Sequence, residues 1–149
     1  MKFRRLIMVS ALTAGLVACA TSPLGRNQFL LMPAGEMDQM GATAYAQMKE
    51  EKPQSKDSRE VNYVLCVSNA ITNTVGGNQQ WEVTVFQEDS ANAFALPGGK
   101  IGVHTGLLNV AKNQSQLAAV IGHEVGQVQA QHSNERMSLQ YAPQGFFFF

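Results

Sequence analysis

The sequence has no surplus of charge and few cysteines. Eleven lysine and arginine residues balance eleven aspartate and glutamate residues, so the formal net charge at pH 7 is zero. After residue 5 there is no run of basic residues, and basic residues do not alternate with aromatic ones as they do in many nucleic-acid-binding proteins. These absences argue against nucleic acid as a partner. The two cysteines, Cys19 and Cys66, allow at most one disulfide.

Long hydrophobic runs are also absent, apart from a short one near the start. Residues 1–5 include three basic residues, and the segment from Leu6 to Ala18 is largely apolar. The apolar stretch is shorter than the roughly 20 residues that a transmembrane helix needs. The pattern therefore predicts an export signal peptide at residues 1–18.

The end of this signal resembles the lipobox after which bacterial lipoproteins are cleaved and acylated, because residues 16–19 read Leu-Val-Ala-Cys. We expect a lipid on Cys19, which would leave Cys66 without a disulfide partner. Ala20, rather than an aspartate, follows the cysteine, and by the same resemblance this favours the outer membrane. The alternative is cleavage at an Ala-x-Ala site, Ala18 to Ala20, which would release a soluble periplasmic protein. Residues 19–32 are then predicted to form a lipid-anchored tether.

The rest of the pattern predicts an α+β domain at residues 33–139. Apolar residues recur at helical spacing over 33–51 and again over 59–75, with a charged loop between them. Residues 81–86 alternate apolar and polar side chains, as a half-buried strand does. Residues 92–108 are typical of a strand, a Pro-Gly-Gly turn, a second strand and the entry to a helix. A further helix is predicted from about Gln114 to Gln131, extending towards Arg136.

This further helix carries a near match to the zinc-binding pattern H-E-x-x-H, with His123 and Glu124 in place and Gln127 at the second histidine position. Residues four apart share one helical face, and Glu124 lies about 100° round from His123. Apolar flanking residues predict a helix buried on nearly all sides, where an uncompensated His-Glu pair would be costly. A metal ion would compensate the pair. A surface pair or a hydrogen-bonded core histidine is the simpler alternative. Gly122 and Gly126 weaken the helix, which suggests that a neighbouring element approaches closely or packs tightly there.

Three segments together indicate a family: Asn92 to Leu108 (NAFALPGGKIGVHTGLL), the His-Glu helix, and residues 132–136. They resemble the membrane-associated zinc metalloendopeptidases of the HtpX, Oma and CAAX-prenyl-protease type, in particular bacterial periplasmic lipoproteins such as BepA and LoiP. The resemblance implies the N-terminal part of a zincin-like (gluzincin) domain: helices, a small antiparallel sheet and the active-site helix. It also implies proteolysis of misfolded or misassembled envelope proteins, by an enzyme anchored to the inner leaflet of the outer membrane.

The resemblance assigns roles to individual residues. His123 would bind Zn²⁺, Gln127 would occupy a degenerate ligand position, and Glu124 would be the general base. In such enzymes zinc lowers the pKa of its bound water from 15.7 to about 7. The strand residues Asn92, Ala93, Phe94 and Ala95 would dock the substrate backbone, although an ordinary sheet edge fits the same composition.

The end of the sequence departs from the family. The family's third zinc ligand, a glutamate on a later helix, has no counterpart before Phe149, and residues 140–149 end in four phenylalanines. We therefore expect an aberrant tail on a truncated copy. Together with Gln127, this predicts weak or absent zinc binding and impaired hydrolysis. The alternative function is that of a non-catalytic periplasmic lipoprotein that binds unfolded peptides or assembly partners.

Overall fold

The structure, a computed structural model, describes residues 19–141. The predicted signal peptide and residues 142–149 of the predicted tail lie outside the described residues. The strands are β1 (Cys19–Thr21), β2 (Asn27–Phe29), β3 (Glu82–Phe86), β4 (Ala93–Leu96) and β5 (Lys100–His104), and the helices are α1 (Ala34–Glu51), α2 (Ser58–Thr72), α3 (Thr105–Leu108), α4 (Gln114–Gln129) and α5 (His132–Tyr141). Within the described range, no helix combines the length and the apolar character needed to cross a bilayer.

The main sheet has three strands in the order β3-β5-β4. Strand β5 pairs antiparallel with β4 and parallel with β3. The α+β class is confirmed, but the prediction of an antiparallel sheet is wrong for the β3–β5 pair. The tight turn at residues 97–99 folds β4 back on β5, and β5 then inserts beside β3. Alternation along each strand predicts where a strand occurs but not which neighbour it takes.

The two edges of this sheet differ. The loop after α1 covers the β3 edge, because Ser55 N–H donates to Val85 C=O and Gln87 N–H donates to Pro53 C=O, both at 2.8 Å. An isolated bridge between Gln54 and Phe86 lies between these two bonds. Strand β4 forms the opposite edge, and among the described residues its only strand partner is β5. The sheet therefore has one covered edge and one open edge.

Helices pack on both faces of the sheet. One face joins α2 and α4 in an apolar core that contains Val64, Val67, Val85, Ala93, Ile101, Val103, Leu117, Ile121 and Val125. On the other face, the buried Tyr45 of α1 donates its hydroxyl to Ile101 C=O at 2.9 Å and contacts Thr84 Oγ1 at 2.7 Å. Burial raises the pKa of this phenol to about 12, so Tyr45 is neutral at pH 7.

The turn between β4 and β5 requires glycine. Gly98 and Gly99 have φ angles of +82° and +72°, which side chains with a Cβ adopt rarely. Helix α1 lies directly against this turn, because a Cβ at Gly41 would overlap the carbonyl of Pro97. The end of β4 is thereby fixed to α1.

Two predictions about the chain ends are wrong. The last predicted helix is interrupted: α4 ends at Gln129, Gln131 takes a positive φ of 52°, and α5 begins at His132. Residues 19–32 are not an extended tether either, because β1 and β2 pair as an antiparallel hairpin. The hairpin packs on α5, and we call residues 19–32 together with α5 the hairpin–α5 unit. Helix α2 ends at Thr72, three residues before the predicted end, and the glycines at 76 and 77 follow.

Candidate functional site

Within residues 19–141, helix α4 packs against the rest of the chain on one side only. The side chain of Asn113 caps its first turn by accepting from Gln116 N–H at 3.0 Å. Leu117, Ile121 and Val125 follow at intervals of four and are 0–2% exposed. His123 is exposed, and Glu124 and Gln127 are half-buried. The prediction of a helix buried on nearly all sides is therefore wrong, because apolar composition alone does not say how many neighbours a helix has.

The prediction that a neighbouring element packs closely against Gly122 and Gly126 fails within the described part of the chain. A Cβ added at Gly122 or Gly126 would meet no atom within 4 Å. Both glycines lie on the open side of α4, together with Ala119 and His123. The packing explanation for these glycines is therefore wrong for residues 19–141.

The three residues of the degenerate motif lie where the helical spacing predicts. Gln127 and His123 are in direct contact, with the amide nitrogen 2.7 Å from the imidazole Nε2. The amide of Gln127 thus occupies the Nε2 side of the imidazole, one of the two ring nitrogens through which a histidine can bind a metal. Glu124, one residue along, has no hydrogen bond or ion pair among the described residues.

The described residues do not fit a catalytic zinc ion. Such a site needs three protein ligands and an open position for water. Within residues 19–141, no three histidine, cysteine, aspartate or glutamate side chains come close enough together to hold a metal ion. His123 is one good ligand, and the Gln127 amide oxygen is a weak one for zinc, which prefers nitrogen and sulfur. A third ligand would have to come from outside the described residues.

Strand β4 presents its backbone to the open edge. His104 N–H donates to Asn92 C=O at 2.9 Å, which makes this pair a hydrogen-bonded one in the antiparallel ladder. Hydrogen-bonded pairs alternate with non-bonded ones, so Ala93 and Ala95 point their N–H and C=O groups away from β5. These groups lie at the edge where the sequence predicts substrate docking.

The side chains of β4 explain why α4 lies close to this edge. Ala93 belongs to the core beneath α4, and Ala95 packs against the same core. Their small size lets the helix approach the strand, and the two elements make extensive contact. Phe94 points to the opposite face and stacks on Phe86 with centroids 6.1 Å apart. The predicted docking strand and the predicted catalytic helix are thus neighbours, as a peptide-binding cleft requires.

A hydrogen-bonded pair that the sequence analysis did not single out fixes the start of β4. His104 is buried, and its Nδ1 lies 2.6 Å from Ser90 Oγ. Burial lowers the pKa of His104, the nearby charge of Lys52 lowers it further, and Glu88 opposes them, so the imidazole is neutral at pH 7. Thr105 Oγ1 donates to Glu88 C=O at 3.0 Å and holds the same loop. The alternation of β5 could have indicated that His104 faces inwards, but nothing in the sequence identifies Ser90 as its partner.

Comparison with known proteins supports the family resemblance that the motif indicates. The model of peptidase family M48 matches residues 58–149, more than half of the chain. The mitochondrial metalloendopeptidase OMA1 of Arabidopsis thaliana is 45% identical over 85 residues, covering 57% of this chain and 16% of the relative. The metalloendopeptidase OMA1 of Homo sapiens is 31% identical over 120 residues, covering 78% and 22%.

A bacterial relative matches over more of the chain. The beta-barrel assembly-enhancing protease of Escherichia coli K12 is 27% identical over 141 residues, which is 89% of this chain and 29% of the relative. The chain thus spans less than a third of the length of each of these three relatives. The match to the family model covers α2, the three-stranded sheet, α4 and α5.

Proposed function

The chain belongs to peptidase family M48, and from this premise we propose that it is a metalloendopeptidase-type domain of envelope protein quality control. Its substrates would be misfolded or misassembled envelope proteins, bound in extended form. The observation that carries this proposal is the open edge of β4 beside α4. A peptide added there would pair with the N–H and C=O groups of Ala93 and Ala95, which point away from β5. Such pairing recognises the main-chain groups of the peptide rather than its side chains, which suits a protein that must bind many different unfolded chains.

We place the protein in the bacterial periplasm, anchored through a lipid on Cys19 to the inner leaflet of the outer membrane. The basic and apolar residues 1–18 and the lipobox-like residues 16–19 support this location. The name of the Escherichia coli relative, a beta-barrel assembly-enhancing protease, agrees with a role in the envelope.

The chemistry expected of this cleft is limited. Glu124 occupies the position of the general base in the family motif, beside His123. Gln127 provides a neutral amide in place of the second imidazole, and its nitrogen already contacts His123 Nε2. We therefore expect peptide binding by this chain, with zinc binding and hydrolysis strongly impaired. The contact between Gln127 and His123 favours the second candidate function, a non-catalytic lipoprotein that binds unfolded peptides or assembly partners.

The docking edge is tested by Ala95→Pro. Proline removes the outward N–H but leaves the ladder with β5 intact, since that N–H does not point to β5. We expect fluorescently labelled, unfolded casein to bind several-fold more weakly in an anisotropy titration. Ala95→Ser keeps the N–H and is the matched control. Equal binding by both variants, with unchanged circular dichroism, would place the peptide elsewhere.

Cleavage assays and zinc titrations on the unmodified chain and on Gln127→His discriminate between the two candidate functions. The unmodified chain should show no casein cleavage that a chelator inhibits. The variant restores two imidazoles on one helical face, so its zinc affinity should rise by about tenfold or more, which is about 1.4 kcal/mol per factor of ten. Metal analysis and zinc titration measure this change, and Glu124→Gln is the control for any cleavage that appears. Chelator-sensitive cleavage by the unmodified chain would show that it is an active peptidase.

A further inference from the structure

The hairpin–α5 unit is held together by a polar network that is largely buried. Gln28, 4% exposed, donates to Ala130 C=O at 2.6 Å, just beyond the end of α4. Asn134, 3% exposed, donates to Met32 C=O at 2.8 Å, and Ser138 Oγ accepts from Leu31 N–H at 2.7 Å. These bonds fix residues 28–32 to the beginning and middle of α5. The first described residues are therefore part of the folded domain.

The same unit carries most of the exposed large hydrophobic side chains of the described chain, namely Leu24, Leu31, Leu139 and Tyr141. Leu24 lies in the turn between β1 and β2 and is 91% exposed. The other exposed large hydrophobic residues, Met40, Tyr63 and Val110, are spread over three separate regions. The concentration on one unit indicates a contact surface rather than scattered exposure.

Helical spacing relates the α5 residues to the docked hairpin. Leu139 follows Glu135 by one turn on the same side of α5, and Glu135 contacts Arg26 beside the hairpin turn. Tyr141 follows Ser138 by three residues, on the side where Leu31 is bound. Leu139 and Tyr141, about 200° apart round α5, thus flank the hairpin on its two sides.

The predicted acylation site lies within this unit. Cys19 is the first residue of strand β1, so no spacer separates a lipid on Cys19 from the hairpin. We propose that the hairpin–α5 unit lies on the surface of the lipid bilayer, with Leu24, Leu31, Leu139 and Tyr141 in contact with lipid. This inference rests on the proposed anchoring at Cys19.

The expected contact is apolar rather than electrostatic. Arg26, the basic residue nearest the hairpin turn, already makes a bidentate ion pair with Glu135. Its charge is therefore not free for anionic headgroups. Neutral phosphatidylcholine should be sufficient for docking, and raised salt should not release it. Because Gln28 also holds the end of α4, a docked unit keeps the peptide-binding cleft in a fixed orientation to the membrane.

The experiment uses the full chain, purified from membranes and reconstituted in phosphatidylcholine vesicles, in a Cys66→Ser background. The sulfur of a lipid-modified Cys19 is blocked by a thioether and has no free thiol. The single cysteines introduced by Leu24→Cys and Leu139→Cys can therefore be labelled with the dye NBD. Val110→Cys, at an exposed apolar residue elsewhere, is the matched control. We expect a blue-shifted emission at 24 and 139 that loses most of its intensity when brominated lipid is used, and a water-like emission at 110.

Attachment is measured separately, by mass spectrometry of the acylated peptide and by vesicle flotation. If the protein is acylated and floats while the probes at 24 and 139 behave like the one at 110, the docking proposal is wrong and the anchor stands. If acylation is absent, the anchoring proposal fails, and shifted, bromine-quenched probes in the presence of vesicles would then support docking alone. A blue shift at 24 and 139 without bromine quenching would mean that protein, such as a second copy of the chain, covers the surface, and would overturn the lipid contact.

Discussion

The core around α4 and the hairpin–α5 unit are built from different interactions. In the core, Leu117, Ile121 and Val125 pack with the apolar side chains of the sheet and α2. In the hairpin–α5 unit, the described buried side chains are polar and hydrogen-bond to backbone groups and to each other, namely Ser22, Gln28, Asn134 and Ser138. Apolar packing is strong and insensitive to pH, whereas a polar network depends on every partner being present. The difference can be tested one residue at a time.

The largest effect is expected from Ile121→Asp. Ile121 is 0% exposed, so the aspartate would be charged or protonated within an apolar core, and either state is costly. We expect the free energy of unfolding to fall by about 4 kcal/mol or more, measured by urea denaturation. Ala119→Asp, on the open side of the same helix, should cost less than about 1 kcal/mol. Similar losses for both variants would show that α4 is covered on both sides.

The contrast between the two regions also explains what the sequence could predict. The alternation of residues 81–86, the Pro-Gly-Gly turn and the four-residue spacing of His123 and Gln127 are local signals, and the structure contains each of them. The family resemblance assigns docking to β4 and chemistry to α4, two elements that the structure places in contact, and the comparisons confirm the family.

The errors arise where the structure depends on distant partners. Residues 19–32 are predicted to be a tether with a short apolar patch at residues 29–32. The bonds that fold this segment come from residues more than 100 positions later in the chain, so no local pattern indicates them. The break at Gln131 is not marked by glycine or proline, and the hydrogen bond from Gln28 to Ala130 contributes to fixing it. The parallel β3–β5 pairing was missed for the same reason.

A smaller effect is expected in the polar region from Asn134→Ala. The asparagine side chain donates to Met32 C=O and accepts from Met32 N–H and Ser138 Oγ. Removing it leaves these groups without their partner in a largely buried position, and each such loss costs about 1–3 kcal/mol unless water enters. We expect destabilisation by about 1–3 kcal/mol and faster amide exchange in residues 27–32. Ser133→Ala, at an exposed neighbour, is the control, and unchanged exchange in Asn134→Ala would mean that the hairpin is held in another way.

The smallest effect is expected from Glu135→Gln, and it should depend on pH. The hydrogen bonds from Arg26 hold the pKa of Glu135 below its ordinary value of 4.5, with a further contribution from Gln28, while desolvation opposes them. A carboxyl group with a lowered pKa in the folded state stabilises the protein above its unfolded-state pKa and loses this contribution as the pH falls through the folded-state value.

Arg26 is 56% exposed, so solvent screens its ion pair with Glu135, and the difference in the free energy of unfolding at pH 7 should be below about 1 kcal/mol. In urea denaturation the wild-type chain should exceed the variant at pH 7, and the difference should disappear below the folded-state pKa and shrink in high salt. Glu50→Gln, at an exposed residue of α1, controls for the general loss of an acidic side chain. A difference that stays constant from neutral to acidic pH would show that Glu135 acts there through packing rather than charge, and the polar region would then resemble the core more than the network of hydrogen bonds suggests.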